Sequence, residues 1–221
     1  MWEYHGAPKL DQQVSTYPGL RPRNVTASDA EINAVLGAAP PHLRLMIHLC
    51  CDLAIRSSTA ATLSAEHYDA RARELRFQTK MGARLCLPTT QEIDALIADC
   101  NPHDHTPFVR QLWIQHRARQ GGQGRIPAPK ARNAESLRHA FAELRKLVGI
   151  ERRFTFHDMR RTTAVGMLRA THDVRDVQAL LGHKSLQATI WYLDHDMRPV
   201  SRATLELIKG NRTTKPQEKT A

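Results

Sequence analysis

Apolar residues recur at helical spacing through most of this chain, with one stretch of a different period. Ser28-x-x-Glu31 has the form of a capping box and predicts a short helix over 31–37. Pro41 suits the first turn of a longer helix. Leu43, Met46, Ile47, Cys50 and Leu53 would share one face of it, and it would end near Ala54-Ile55-Arg56. Over 73–88 the period becomes two: RELRFQ and ARLCLP alternate polar with apolar around Lys80-Met81-Gly82, which predicts a β-hairpin. Helical spacing returns over 89–100, with Ile93, Leu96 and Ile97 inward, and again over 110–120. Asn133 can cap a further helix whose buried stripe is Leu137, Phe141, Leu144 and Val148, with Gly149 as its stop. In VRDVQALL, Val174, Val177, Leu180 and Leu181 make an apolar face that ends at Gly182, the residue type suited to φ > 0. SLQATIWY would then begin a new helix.

Composition narrows the class. The 221 residues suffice for one sizeable core, or for one domain with arms. No run reaches the ~18–20 apolar residues of a membrane span, and MWEYHGAPKLDQQ lacks the charged-then-apolar pattern of a signal peptide. Cys50, Cys51, Cys86 and Cys100 form no disulfide framework, so a reducing cytosol is the simplest setting. Lys and Arg outnumber Asp and Glu by 32 to 22, an excess that favours a polyanionic partner. Arginine dominates the basic residues, and its planar fork suits phosphate. Residues 1–24, with little periodicity, read as an arm or the remnant of a linker. Cys100, His103 and His105 sit near one polar loop without a second cluster, too little for a metal site. Arg125, Lys130 and Arg132 lie in a Gly-rich basic loop and lean towards phosphate contact.

The candidate chemistry concentrates in residues 154–192. His157 and Arg160, three apart, share a helix face and can address one ligand together. His183 emerges at the corner after Gly182, and Tyr192 follows nine residues on. A cation, two imidazoles and a phenol suit a phosphodiester, whose oxygens accept from Arg and His while the phenol oxygen can attack phosphorus. Arg161 points about 100° away from Arg160 and reads as structural or as a backbone contact. His172 and His195 read as surface or packing residues.

The same stretch resembles the C-terminal catalytic half of the tyrosine recombinases, also called phage-type integrases. HDMRRTTA is similar to that family's His-x-x-Arg box, LLGHKS to its Leu-Gly-His box, and Tyr192 falls where the family places its nucleophile. Upstream, LAIRSSTAATLSAEHYD resembles the first arginine box, which makes Arg56 the matching arginine. Thr59 stands where the family commonly has an acid. The residues alone favour reading Arg56 as an exposed helix-end arginine on the macrodipole. Lys80 matches the family's hairpin lysine; by itself it reads as a solvated turn residue, and Arg84 flanks the same turn.

The resemblance implies a mainly α fold with a small antiparallel β-sheet (α+β) and a catalytic domain over 25–198. It implies a site of Arg56, Lys80, His157, Arg160, His183 and Tyr192, with no metal, ATP or other cofactor. The arginines would hold the non-bridging oxygens and Tyr192 would attack. His157 would accept the phenol proton, Lys80 would protonate the leaving 5′-oxygen, and His183 would position the phosphate. The expected partner is double-stranded DNA, bound by a homo-tetramer on paired sites with accessory proteins and away from any membrane. Residues 199–221, with Leu205 and Ile208 at helical spacing, would dock on a neighbouring subunit or pack on their own. The family carries a helical DNA-clamping domain ahead of the catalytic one. Residues 1–24 leave no room for it, so the expectation is a short member working without it, or a fragment. A non-catalytic or helper-dependent DNA-binding protein and a type IB topoisomerase-like enzyme are the alternatives.

Overall fold

The computed structural model describes residues 25–80, 82–122 and 134–193. Nine helices and a three-stranded sheet lie within them: α1 (Asp29–Ala38), α2 (Pro41–Cys51), α3 (Ser57–Ala60), β1 (Tyr68–Asp69), β2 (Glu74–Gln78), β3 (Arg84–Pro88), α4 (Gln91–Ala98), α5 (Phe108–Arg119), α6 (Ala134–Leu147), α7 (Phe156–Thr171), α8 (Val174–Leu181) and α9 (Leu186–Leu193). This is the expected mainly α fold with a small antiparallel sheet. The predicted arm, the Asn133 cap, the basic loop at 125–132, His195 and the C-terminal segment fall outside the described residues.

Local chemistry accounts for the main boundaries. Ser28 and Glu31 form the capping box that starts α1: the Ser28 hydroxyl accepts from the Glu31 amide, and the Glu31 carboxylate accepts from the Ser28 amide at 2.8 Å. α2 opens with Pro41 at its first position. The expected stripe on α2 is buried, but so are Leu45, Leu49, His42 and His48, because α4, α5 and α7 pack on its several sides. α2 is therefore the central helix of the core. β2 and β3 pair antiparallel with Leu75 opposite Leu87 and Phe77 opposite Leu85, and β1 adds to the free side of β2.

One expectation needs correcting. The helix bearing the first arginine box stops at Cys51, before Arg56. The chain then turns through Ala54, whose φ of 51° is left-handed, and Arg56 becomes the N-cap of α3. The macrodipole account of Arg56 falls with that boundary, because a cation gains nothing at a helix N-terminus.

The apolar interior divides in two. A large cluster joins α1–α6, the sheet and the start of α7. A much smaller one consists of buried Ala54, Ala164, Val165, Val177, Leu181 and Leu193, and seats α8 and α9 on α7. α7 carries residues of both. It is also bonded sideways, Thr163 donating to the Cys51 carbonyl and the Thr162 hydroxyl accepting from the Ala27 amide at 2.8 Å.

Candidate active site

α7 begins where Thr155 and Asp158 form a capping box, the Asp158 carboxylate accepting from the Thr155 amide at 2.7 Å and from its hydroxyl at 2.9 Å. That cap fixes the first turn, which presents His157, and the next, which presents Arg160. Arg160 is buried, and its guanidinium donates to two backbone carbonyls: that of Ala54, and that of Leu181 at 2.9 Å. These carbonyls belong to the turn before Arg56 and to the turn before His183. One side chain thus ties the three sequence boxes together, and two bonds leave part of its five N–H groups for a ligand. The left-handed Ala54, a conformation costing roughly 1–2 kcal/mol for a non-glycine residue, directs its carbonyl into this tie.

The His183 corner is held as firmly. Gly182 caps α8 with φ 62°, and a Cβ there would meet the Leu85 Cδ1 at 3.1 Å and the Thr79 Cγ2 at 3.2 Å. Glycine is needed for both the turn and the space, since the β2–β3 hairpin packs directly against it. The His183 amide donates to the Gln178 carbonyl at 3.2 Å, and the Gln178 side chain donates back to the His183 carbonyl at 3.0 Å. Its ring Nδ1 lies 3.1 Å from the hydroxyl of Thr189, a fully buried residue on α9. That contact leaves Nε2 for a ligand.

Tyr192 closes the site from α9. Its ring meets His157 and His183 edge-on, with centroids 5.5 Å and 5.8 Å away. The Arg161 guanidinium lies 5.5 Å from its centroid. The Tyr192 hydroxyl is buried and makes no hydrogen bond of normal geometry among the described residues, although the Arg160 guanidinium is close enough to act on it.

Electrostatics follow from this crowding. Burial lowers His157, an effect Asp158 opposes and Arg160, Arg161 and Arg56 reinforce. Burial, then Arg160 and Arg56, bring His183 down to about 4. Both rings are therefore neutral near pH 7. Arg160 falls to about 10 through burial and the nearby Arg56, and remains a cation at neutral pH. Tyr192 is raised by burial, with Arg160, Arg161 and Arg56 pulling the other way. Among the described residues no ion pair engages Arg56 or Arg160. Two facing cations without a carboxylate make an anion site.

Five of the six expected residues, Arg56, His157, Arg160, His183 and Tyr192, meet here. No contact among the described residues links Lys80 to them. It is exposed at the hairpin turn, with no hydrogen bond or ion pair holding it among the described residues. Nearby, the Lys184 Nζ lies 3.6 Å from where a Cβ on Gly82 would be. Cys100 is turned into the core with its thiol pushed up to about 12 by burial, and no metal-binding group occurs among the described residues. Two contributors were not legible as such: Thr189, which steadies His183, and Arg161, which reaches Tyr192. Thr189 lies three residues before Tyr192, hence near it on one helix face, and that spacing was the available signal.

The fold is that of a tyrosine recombinase catalytic domain. The chain belongs to the phage integrase family, whose model matches residues 26–198. A segment of 64 residues is 41% identical to tyrosine recombinase XerC of Leptospira interrogans, spanning 29% of this chain and 21% of that protein. The chain thus spans about a fifth of the length of the curated relatives it matches. Among solved structures, the XerH recombinase bound to its difH substrate before cleavage superposes with a TM-score of 0.60 at 17% identity, over 84% of this chain and 53% of that one. XerA recombinase gives 0.57 at 16%, over 87% and 66%. At such identities the likeness is one of fold.

Proposed function

We propose that this chain is a site-specific DNA recombinase that cuts and rejoins strands through a 3′-phosphotyrosyl intermediate on Tyr192. The observation that carries it is the position of Tyr192, walled by two neutral imidazoles where the charges of Arg56 and Arg160 converge. The arginines take the non-bridging oxygens and stabilise the charge that builds on five-coordinate phosphorus. The Tyr192 oxygen forms the new bond to phosphorus as its proton passes to neutral His157. The bond from phosphorus to the 5′-oxygen breaks, and Lys80, brought in with the DNA, protonates the leaving oxygen. His183 donates from Nε2 to a phosphate oxygen. The phosphodiester energy stays in the tyrosyl linkage, so neither ATP nor a metal enters, and attack by another strand's 5′-hydroxyl completes exchange. The remaining elements of the reading are a homo-tetramer on paired double-stranded sites, accessory proteins and a cytoplasmic setting. The domain division is 25–198 for catalysis and 199–221 for docking.

Helper-dependent activity is the second reading, favoured by two observations: the phenol is raised rather than lowered before DNA arrives, and Lys80 is exposed with no contact to the other five among the described residues.

The test is a covalent trap. The protein is incubated in EDTA with supercoiled DNA carrying the regions that flank its own gene, then quenched with SDS. A protease-sensitive adduct that is absent in Tyr192→Phe is the expected result. Intact binding to those fragments without an adduct overturns autonomous catalysis in favour of the helper-dependent or non-catalytic binder.

A further inference from the structure

We propose that Arg161 is the positioning residue for the nucleophile, gripping Tyr192 by its backbone and its ring at once; this rests on Tyr192 being the attacking group. Arg161 is buried. Its Nη1 donates to the carbonyl of Tyr192 itself, and its guanidinium lies against the Tyr192 ring. Tyr192 lies on α9, so the bond to its carbonyl ties Arg161 to the backbone of the helix that carries the phenol. The second contact is of cation–π type and fixes the ring's direction.

A carbonyl grip alone would hold the chain and leave the ring free to turn. A ring contact alone would leave the backbone of α9 unheld at this residue. Together they fix the position of the oxygen. Neighbouring Arg160 has a different task, since its two carbonyl bonds go to the Ala54 and Leu181 turns. Arg161 also opposes the effect of burial on the phenol. Lysine at this position would keep a positive charge and lose the planar fork that serves carbonyl and ring together.

The test uses the full chain labelled with tyrosine carrying ¹³C at Cζ, with Tyr192→Phe assigning the signal. Tyr192 is followed against pH in wild type, R161K and R161M. In R161M its titration is expected further above the ordinary tyrosine range and its resonance displaced. R161K should recover much of the titration but not the resonance position. On the gene-flanking plasmid, adduct formation should fall on the order of 100-fold in R161M, because a displacement of about 1 Å costs that much, while DNA retention is unchanged. A Tyr192 signal and titration identical to wild type in R161M overturn the proposal, as does an undiminished adduct in both variants. If R161M does not fold, the R161K resonance decides. A signal displaced in the variants while wild type itself forms no adduct upholds the grip on Tyr192 and counts against autonomous catalysis instead.

Discussion

The two apolar clusters divide the site between them. The large one binds α1–α6 and the sheet into a frame, and α7 enters it through Phe156 and Met159, on either side of His157. The small cluster, with six buried residues, seats α8 and α9, which flank the His183 corner and carry Tyr192. On the frame side, apolar burial dominates. On the nucleophile side a few side chains are supplemented by polar ties: Arg160 to the Ala54 and Leu181 carbonyls, Arg161 to Tyr192, and Thr189 to His183. A segment with little buried area opens at lower free energy than the rest of its domain. The two sides of the candidate site are thus built with different strengths.

The largest effect should come from the residue that serves both halves. Arg160→Met removes the proposed phosphate donor and, with it, the tie to the Ala54 and Leu181 turns. Adduct formation should fall by at least the ~10²–10³-fold of one lost transition-state donor, and a DNA-retention assay run alongside shows how much of the loss is binding. Next comes the same substitution on each side, Leu45→Ala in the frame and Leu181→Ala in the small cluster, both fully buried. Each costs about 2–5 kcal/mol. Leu45→Ala should lower the global urea midpoint. Leu181→Ala should appear chiefly as faster hydrogen exchange in α8–α9, and an equal global shift in both would erase the distinction between the clusters.

Gly182→Ala probes the seam between hairpin and corner. A left-handed alanine with a Cβ pressed on Leu85 and Thr79 costs about 1–2 kcal/mol, read as a lowered melting temperature. The smallest effect is in pH. His183 titrates near 4 in the fold against 6.5 unfolded. Between those values the unfolded chain binds the extra proton, so stability falls as pH drops from 6.5 towards 4. His157 acts in the same direction. His183→Gln should flatten part of this slope in urea titrations. On the frame side, Arg152 bonded to Glu31 holds that carboxyl at about 2, and its contribution is lost lower, as pH falls from 4.5 towards 2. The two regions therefore separate along the pH axis.

Much of this was legible in the chain. The capping box at Ser28, Pro41 at a helix start, the alternation on either side of Lys80 and the glycine stop at 182 are local signals, and each fixed an element. His157, Arg160, His183 and Tyr192 declared themselves through spacing. Where Arg56 sits did not, because Ala54 adopts a left-handed turn that no local residue preference demands and that tertiary bonding to Arg160 sustains. Burial on all sides of α2 was hidden for a similar reason: periodicity reports one face, whereas the number of neighbours is a property of the whole fold. Arg161 was placed off the His157–Arg160 face, as helix geometry requires, but the element waiting on that other face could not be read from spacing.

The buried hydroxyl of Tyr192, with no hydrogen bond of normal geometry among the described residues, bears on how such a site persists. A buried polar group left unsatisfied costs roughly 1–3 kcal/mol, and phenylalanine would fill the same volume without that cost. Tyr192→Phe is therefore expected to melt no lower than wild type, and somewhat higher if the hydroxyl is as isolated as its burial indicates. Drift under selection for stability alone would favour that exchange. A tyrosine here is one the fold tolerates at its own expense, which is what the proposed nucleophile would require.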